Sequence, residues 1–455
     1  MKHYIIYIIM CAMLLTSCGI YGKYKPVASS EVDSRLYGAV DCSDTASLAL
    51  TSWRMLFADT CLQRLIDSCL ARNVDMRAAR LRTETAQASL TAARLSYLPS
   101  LTLTPYGGVT RYKDWPAGKV YELPVTASWQ VDLFGQLLNG HRSSRALRDQ
   151  MQEVQQAVQA GLVAGVANLY YTLAMLDEQL QIARTTEQAW QGSVKSIRAL
   201  MEAGYANQAA VSQLEAAWLG VQTSVVELEQ SRNEVSNALS LLLMEPAGTF
   251  TDLHPDLVTL DVDLQVGVPC QLLSLRPDVR AAEAALRQSF YANQSATAAF
   301  FPVLNLSGKL GWTNTTGSEI IDPGFAVRQA VASLVQPLFA NGRLRAQKRA
   351  ARNELEIASL TFSNTLLSAG NEVNNYLDAA QKARQKRQLY QLQVEALQKA
   401  YDATRLTMEY GNTTYLEVLT AQQSLLSAQL GQVANRFSET QAIINLYTAL
   451  GGGVR

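Results

Sequence analysis

Asn73-Val74-Asp75-Met76-Arg77-Ala78-Ala79 returns 203 positions later as Arg276-Pro277-Asp278-Val279-Arg280-Ala281-Ala282. Tyr97-Leu98-Pro99-Ser100-Leu101 returns at the same spacing as Phe300-Phe301-Pro302-Val303-Leu304. Asp132-Leu133-Phe134-Gly135 aligns with Pro337-Leu338-Phe339-Ala340 at 205. Arg198, Met201, Glu202 and Gly204 align with Arg405, Met408, Glu409 and Gly411 at 207. Chance similarity does not hold register across half a chain, so the sequence reads as one unit written twice with small loop insertions.

Each half reads helix, two strands, very long helix, turn, helix. No proline occurs between Pro124 and Pro246 or after Pro337. Because proline inside a helix costs about 3 kcal/mol, both stretches are free to be helical. The first long helix is expected from about Asn139 to Ala203, roughly 100 Å at the helical rise. Its apolar stripe (Leu169, Leu173, Leu176, Leu180, Ala183, Trp190, Val194, Ile197, Met201) has the spacing of a coiled coil. The stripe resumes after Gly204 at Leu214, Trp218, Val221, Val225, Leu228, Val235, Leu239 and Leu242. Between the helices, Tyr121 to Leu133 alternates strictly, with apolar residues at odd positions and Glu, Pro, Thr, Ser, Gln and Asp at even ones. Leu101, Leu103 and Val109 alternate with threonines in a partner strand, and Leu304, Leu306 and Leu310 oppose Asn305, Ser307 and Lys309. The last strand, near Val327 to Val335, alternates poorly and is placed by its first-half twin. Tyr106, Tyr112, Trp115, Trp129 and Trp312 supply aromatics suited to a membrane interface. Two soluble hairpins packed on a core are the plainer reading of the same strands.

Lys plus Arg equals Asp plus Glu at 39 each, which argues against a nucleic-acid partner. The chain opens with Lys2 and His3 before an apolar run from Tyr4 to Leu15, too short to span a bilayer and suited to a signal peptide. That run ends in Leu15-Thr16-Ser17-Cys18, which resembles the lipobox of bacterial lipoproteins. The resemblance implies cleavage before Cys18 and a lipid on its thiol, so that the chain is anchored without a spanning helix. No other cofactor is expected. Cys61 and Cys69 fall about 12 Å apart on a predicted helix and cannot bridge; a Cys42–Cys270 pair and free buried thiols both stay open. No cysteine or histidine spacing suits zinc, and the ten methionines form no cluster that would support copper or silver export.

The rest of the chain shows no apolar stretch long enough for a spanning helix. If it crosses a membrane, it does so as a closed β-barrel, because lipid cannot satisfy open strand edges. One chain offers four strands. Four cannot close a barrel and eight leave no lumen, so a water-filled pore needs at least three chains.

At this point the residues resemble a family: the outer-membrane factors of tripartite efflux pumps, the TolC superfamily. The closest likeness is to the NodT-type lipoprotein branch typified by OprM and CusC. The resemblance rests on Leu275-Arg276-Pro277-Asp278-Val279-Arg280-Ala281-Ala282-Glu283, Tyr415-Leu416-Glu417-Val418-Leu419 and Leu446-Tyr447-Thr448-Ala449-Leu450-Gly451-Gly452-Gly453, with the lipobox and the duplication. It implies a mainly α fold with a membrane β-barrel: a homotrimer whose 12-stranded β-barrel in the outer membrane continues as a periplasmic α-helical barrel. It also implies two partners, a periplasmic adaptor protein and an inner-membrane RND-type transporter. The implied division is signal peptide 1–17, lipidated segment and equatorial wrap 18–60, and first repeat 61–245 with hairpin 100–133. An equatorial connector 246–270, a second repeat 271–450 with hairpin 303–337 and a tail 451–455 follow. The implied periplasmic tips turn at Gly204 and Gly411, and Leu416 and Glu417 fall near the constriction. Many relatives carry an Asp where this chain has Thr420, which puts a carboxylate ring at that level in doubt; Glu417, one turn away, is the alternative charge. Glu202 and Glu409, each four residues after an arginine, are further candidates for the mouth, or else ordinary solvated helix charges.

Other readings are weaker. Only His141 and His254 follow the leader, neither in a nucleophile or metal motif, and no phosphate-binding loop appears, so an enzyme is not expected. A periplasmic coiled-coil adaptor would carry one hairpin and separate β domains; a structural envelope lipoprotein is the other alternative.

Overall fold

The computed structural model describes residues 22–25, 51–111, 113, 117–258, 260, 275–314, 325–410 and 414–454. In chain order the elements begin with α1 (Trp53–Leu56), α2 (Thr60–Arg72), α3 (Val74–Leu95), β1 (Ser100–Leu103), β2 (Tyr106–Thr110) and β3 (Gly118–Val131). Then come α4 (Gln136–Glu202), α5 (Gln208–Leu242), α6 (Pro277–Ala298), β4 (Val303–Asn314), β5 (Phe325–Val335), α7 (Arg343–Glu409) and α8 (Tyr415–Ala449). Twin helices have equal lengths: 22 residues for α3 and α6, 67 for α4 and α7, 35 for α5 and α8.

Element starts correct one part of the sequence alignment. Ser100 and Val303 open twin strands at the 203 spacing, and Gly118 and Phe325 open the next pair at 207. Gly135 and Gly342 both have positive φ (74° and 78°) just before the long helices. Gly135 therefore answers to Gly342, not Ala340, and the spacing changes in one step within the hairpin.

The chain divides into two units. The first holds Leu81–Glu153 and Arg280–Thr365 with the described residues 22–25. Its sheet is antiparallel throughout: β1 and β2 both pair β3, β3 pairs β4, and β4 pairs β5. The single partner strand expected from Leu101 to Thr110 is interrupted at Pro105, which has no N–H to give the ladder. Register survives the break, since Leu103 faces Val125, Tyr106 faces Glu122, and Thr104 N donates to Pro124 O at 3.2 Å. Pro124 sits in a strand paired on both sides, opposite Gly311. A Cβ at Gly311 would lie 2.6 Å from Pro124 Cα, so the ladder closes here only over glycine. Beside the sheet, α4 is tied to α6 by Arg287 Nη2–Asp149 Oδ2 at 2.8 Å and Arg280 Nη2–Glu153 Oε1 at 2.5 Å.

The second unit holds the described parts of Ser29–Arg80, Val154–Val279 and Leu366–Arg455. Leu173, Leu176, Leu180, Ala183, Trp190, Val194 and Ile197 of the expected stripe are buried, with Leu214, Val221, Val225 and Leu239 of α5. α4 does contain a stretch apolar enough to pass as a membrane span by length and composition, contrary to the sequence expectation. Half of that stretch is buried, and Leu162, Val163, Val166, Ala167 and Tyr170 belong to the protein core. A helix that is apolar nearly all round is explained by burial.

The duplication also repeats its helix ends. Asn73 Nδ2 donates to Leu242 O at 3.0 Å at the C-terminus of α5; its twin Arg276 Nη1 donates to Ala449 O at 3.0 Å at the C-terminus of α8. Glu245 N→Ser240 O and Gly452 N→Tyr447 O, both 2.9 Å, close the two ends in the same way. The left-handed position is Met244 (φ 58°) in one copy and Gly451 (φ 91°) in the other. Left-handed backbone costs an L-residue about 1 kcal/mol. Met244→Gly is therefore expected to raise the thermal midpoint of the detergent-solubilised protein slightly. Gly451→Ala is expected to lower it more, because its new Cβ also lies 3.0 Å from Leu275 O.

Candidate channel wall and tip

The sheet separates its side chains by chemistry. One face carries Leu101, Leu103, Leu123, Val125, Ala127, Trp129 and Val131, registered against Leu304, Leu306, Leu310 and Trp312, then Ala326, Ala330, Ala332 and Leu334. The opposite face carries Thr102, Glu122, Thr126, Ser128, Gln130, Asn305, Ser307, Lys309, Thr313, Gln329 and Ser333. Lys309 Nζ and Glu122 Oε2 pair across it at 2.5 Å. β5 alternates poorly because Val327, Val331 and Val335 join the polar face while alanines and Arg328 occupy the other. Among the described residues the apolar face is uncovered, with Leu101 73%, Leu310 61%, Leu334 63% and Trp312 53% exposed. Water does not tolerate a contiguous apolar surface of this extent, whereas a hydrocarbon environment favours it.

The first tip follows α4. Gly204 (φ 80°) ends the helix, with Gly204 N→Met201 O at 3.0 Å and Tyr205 N→Leu200 O at 2.8 Å. Asn207 Oδ1 then caps α5 by accepting from Ala210 N at 2.9 Å. Beneath this turn Trp190, Val194, Ile197, Val211, Leu214 and Val221 pack with Leu419 of α8, so the two helical hairpins share one apolar cluster. Gly411, expected at the second turn, lies outside the described residues, as does the side chain of Glu409; so do Cys18, Cys42, Cys270, Tyr112 and Trp115.

α8 turns Val418 and Leu419 inward and leaves Leu416, Glu417 and Thr420 on the outer side of its first turns, with Leu416 and Thr420 exposed. Glu417 lies in the first turn, where a carboxylate interacts favourably with the helix dipole. Thr420 Oγ1 donates to Leu416 O at 2.9 Å, so its hydroxyl is held on its own helix. Glu202 is exposed and has no ion pair among the described residues. Arg198, four residues before it, bonds Glu215 Oε1 on α5 at 2.8 Å through Nε.

Three polar clusters were not anticipated from the sequence. Arg276 is buried and bonds Asp278 Oδ2 at 2.7 Å and Glu372 Oε2 at 2.8 Å. Burial alone would raise the Asp278 carboxyl, but hydrogen bonds and charge from Arg276 hold it below the usual carboxylate range. The connector is fastened by Arg232, which bonds Asp177, Thr251 O and Leu253 O, and by Arg436, which bonds Glu178 and Leu257 O. Glu439 is fully buried between Arg384 at 3.2 Å and Arg387 at 3.4 Å. Asp278 is two residues from Arg276, but in each cluster at least one partner comes from a distant segment, which spacing along the chain does not signal. No group of metal-binding side chains occurs among the described residues.

The family described as outer membrane efflux protein matches residues 65–243 and 268–452. The chain is similar to the probable efflux pump outer membrane protein TtgC of Pseudomonas putida, 27% identical over 97% of this chain and 94% of the relative. It is also similar to the probable outer membrane lipoprotein SilC of Salmonella typhimurium, 28% identical over 89% of this chain and 88% of the relative. Among solved structures, the outer-membrane channel OprN superposes with a TM-score of 0.85 at 25% identity, covering 95% of this chain and 99% of that one.

Removing a partner of a buried charge costs about 3–5 kcal/mol. The double substitution Arg384→Gln, Arg387→Gln should therefore lower thermal stability strongly, and adding Glu439→Gln should recover much of the loss. If the triple variant is no more stable than the double, Glu439 is not held by these cations.

Proposed function

The chain belongs to the outer membrane efflux protein family, and from that membership we propose the assembly in which it works. It is an outer-membrane channel component of an efflux pump, and its family is one of channels rather than enzymes. We infer a homotrimer in which three copies contribute twelve strands to one barrel, with the apolar face to lipid and the Lys309–Glu122 face to a water-filled lumen. The observation that carries this is the split sheet with two open edges. Lipid cannot satisfy those edges, one chain is too small to close around water, and eight strands would leave a filled interior.

Exposed apolar residues on α5 (Leu219, Val226, Leu241) and α7 (Ile357, Leu360, Leu389, Leu392) support burial between copies along the helices. The lipid on Cys18 anchors the chain to the outer membrane. A periplasmic adaptor engages the tips at Gly204 and Gly411, and an inner-membrane RND-type transporter supplies the cargo. Leu416, Glu417 and Thr420 line the closed mouth, with Glu202 and Glu409 on its rim. Three copies of Glu417 around a narrow axis favour cations.

Electron microscopy of the detergent-purified protein should show a closed three-copy tube, and planar bilayers should show rare, low-conductance openings. A monodisperse single chain would refute the assembly. Glu417→Gln should weaken cation preference and Thr420→Asp should strengthen it; unchanged ion selectivity in both variants would remove these residues from the mouth.

A further inference from the structure

The two copies of the repeat treat one half-buried position differently. Lys348 on α7 finds its acceptors inside its own copy: Nζ donates to Asn293 Oδ1 at 2.9 Å and to Thr297 Oγ1, both on α6. The twin of Lys348 on α4 is His141, and the twin of Thr297 on α3 is Arg94. A hydroxyl acceptor in one copy is thus a guanidinium in the other. Burial, and then the charges of Arg94, Arg145 and Arg142, hold the His141 imidazole below its ordinary range. His141 Nε2 and Arg142 Nη1 are shielded from solvent and have no hydrogen-bond partner among the described residues, a costly state for polar atoms. Arg94 and Arg145 are exposed and make no ion pair among the described residues. The neighbouring carboxylates are engaged elsewhere. Asp132 Oδ2 accepts from Leu138 N at 2.7 Å, Asp149 pairs with Arg287, and Glu153 pairs with Arg280.

This cationic cluster begins where the apolar face of the sheet ends. Trp129, on that face, donates Nε1 to Tyr97 O at 2.9 Å, and the Tyr97 ring meets the His141 ring edge-on at 6.3 Å. A tryptophan suits such a border because its ring is apolar while its N–H needs an acceptor. On the other flank, Arg142 lies over the Tyr291 ring at 5.6 Å. Tyr24 N donates to the hydroxyl of that same tyrosine at 3.4 Å, and the Tyr24 ring stands edge-on to Phe290 at 5.8 Å. Tyr24 is six residues past Cys18, a reach of at most about 20 Å, and a lipid on Cys18 has to enter the bilayer. The Tyr291 side of α6 therefore faces outward, and Arg142 with it. Lys23 and Lys25, on either side of Tyr24, are exposed and add to the positive charge.

We propose that Arg94, His141, Arg142 and Arg145 seat the phosphate of an anionic phospholipid from the periplasmic leaflet of the membrane, at one site per chain. The assignment rests on the reading that the apolar face meets lipid and that the chain is anchored at Cys18. Guanidinium groups grip phosphate oxygens with paired, charge-assisted hydrogen bonds, and a phosphodiester offers acceptors to donors that have none. With the headgroup at this level, the acyl chains run up past Trp129 along the apolar face. A headgroup of net negative charge is preferred to a zwitterionic one, because Asp132, Asp149 and Glu153 are already engaged and none is left to receive an ammonium. The duplication limits the site to the first copy, since Lys348 already has Asn293 and Thr297.

The test is native mass spectrometry of the full-length protein purified in detergent, with phosphatidylglycerol, phosphatidylethanolamine or inorganic phosphate added. Phosphatidylglycerol should stay bound at one per chain, and phosphatidylethanolamine should be retained about tenfold less. Arg94→Gln with Arg145→Gln, both at exposed side chains, should cut phosphatidylglycerol retention about tenfold. Arg349→Gln with Arg352→Gln, at the twins of Arg142 and Arg145 on α7, should leave it unchanged. Equal losses in the two double variants would mean undirected charge attraction and overturn the seat. Displacement of the lipid by inorganic phosphate would also overturn it, in favour of a free anion. A protein that needs detergent yet retains no phosphatidylglycerol loses only the seat. A protein that stays dispersed without detergent overturns the lipid-facing reading itself.

Discussion

Backbone N–H and C=O groups cannot be left unpaired in hydrocarbon, and this constraint organises the whole molecule. The sheet has an apolar face fit for lipid and a polar face fit for water, yet it ends in two edges, β1–β2 on one side and β5 on the other. Such a sheet is complete only in company. The polar side chains satisfy the lumen, the apolar ones satisfy the membrane, and only another edge can satisfy the backbone. In the proposed assembly, channel formation and oligomerisation follow from the same hydrogen-bonding requirement.

Duplication supplies the parts economically, and the twin sites show what physics preserves while residues change. An amide at Asn73 and a guanidinium at Arg276 satisfy equivalent C-terminal carbonyls. Both are buried, so the requirement is a donor at that place rather than a particular side chain. The guanidinium additionally gathers Asp278 and Glu372, which explains why the second copy of the motif reads Arg-Pro-Asp. Met244 and Gly451 occupy the same left-handed position with different ease. Equivalent backbone paths are kept and the chemistry around them is free to diverge.

Charge divides the helical unit from the tip. Arg232 and Arg436 hold connector carbonyls, and Glu439 sits between two arginines on α7; all lie away from the turns. At the tip itself the buried cohesion is apolar, through Trp190, Leu214 and Leu419, with the Arg198–Glu215 pair on its exposed side. An apolar cluster fixes how the two hairpins meet without fixing their register rigidly, since it is non-directional. Leu416, Glu417 and Thr420 then stand on a surface whose position is set by packing beneath it.

The residues alone determined the duplicated unit, the long helices, the coiled-coil stripe and the two faces of the sheet. Each of these is a periodic pattern of apolar and polar side chains, and periodicity is local information. Aligning the two halves blurred the step from 203 to 207 and read β1 and β2 as one strand. Side-chain similarity in a loop does not fix which residues are equivalent, whereas the missing N–H at Pro105 was present in the sequence and its effect on the ladder shows only once the partner strand is in place. Only the tertiary structure decided the ladder register, the Arg276 clamp, the buried Glu439 and the partner of Arg198. Apart from Arg276–Asp278 and the rungs beside the hairpin turns, those interactions join residues distant in the chain, and their energies exist only once packing has removed water and brought donor to acceptor.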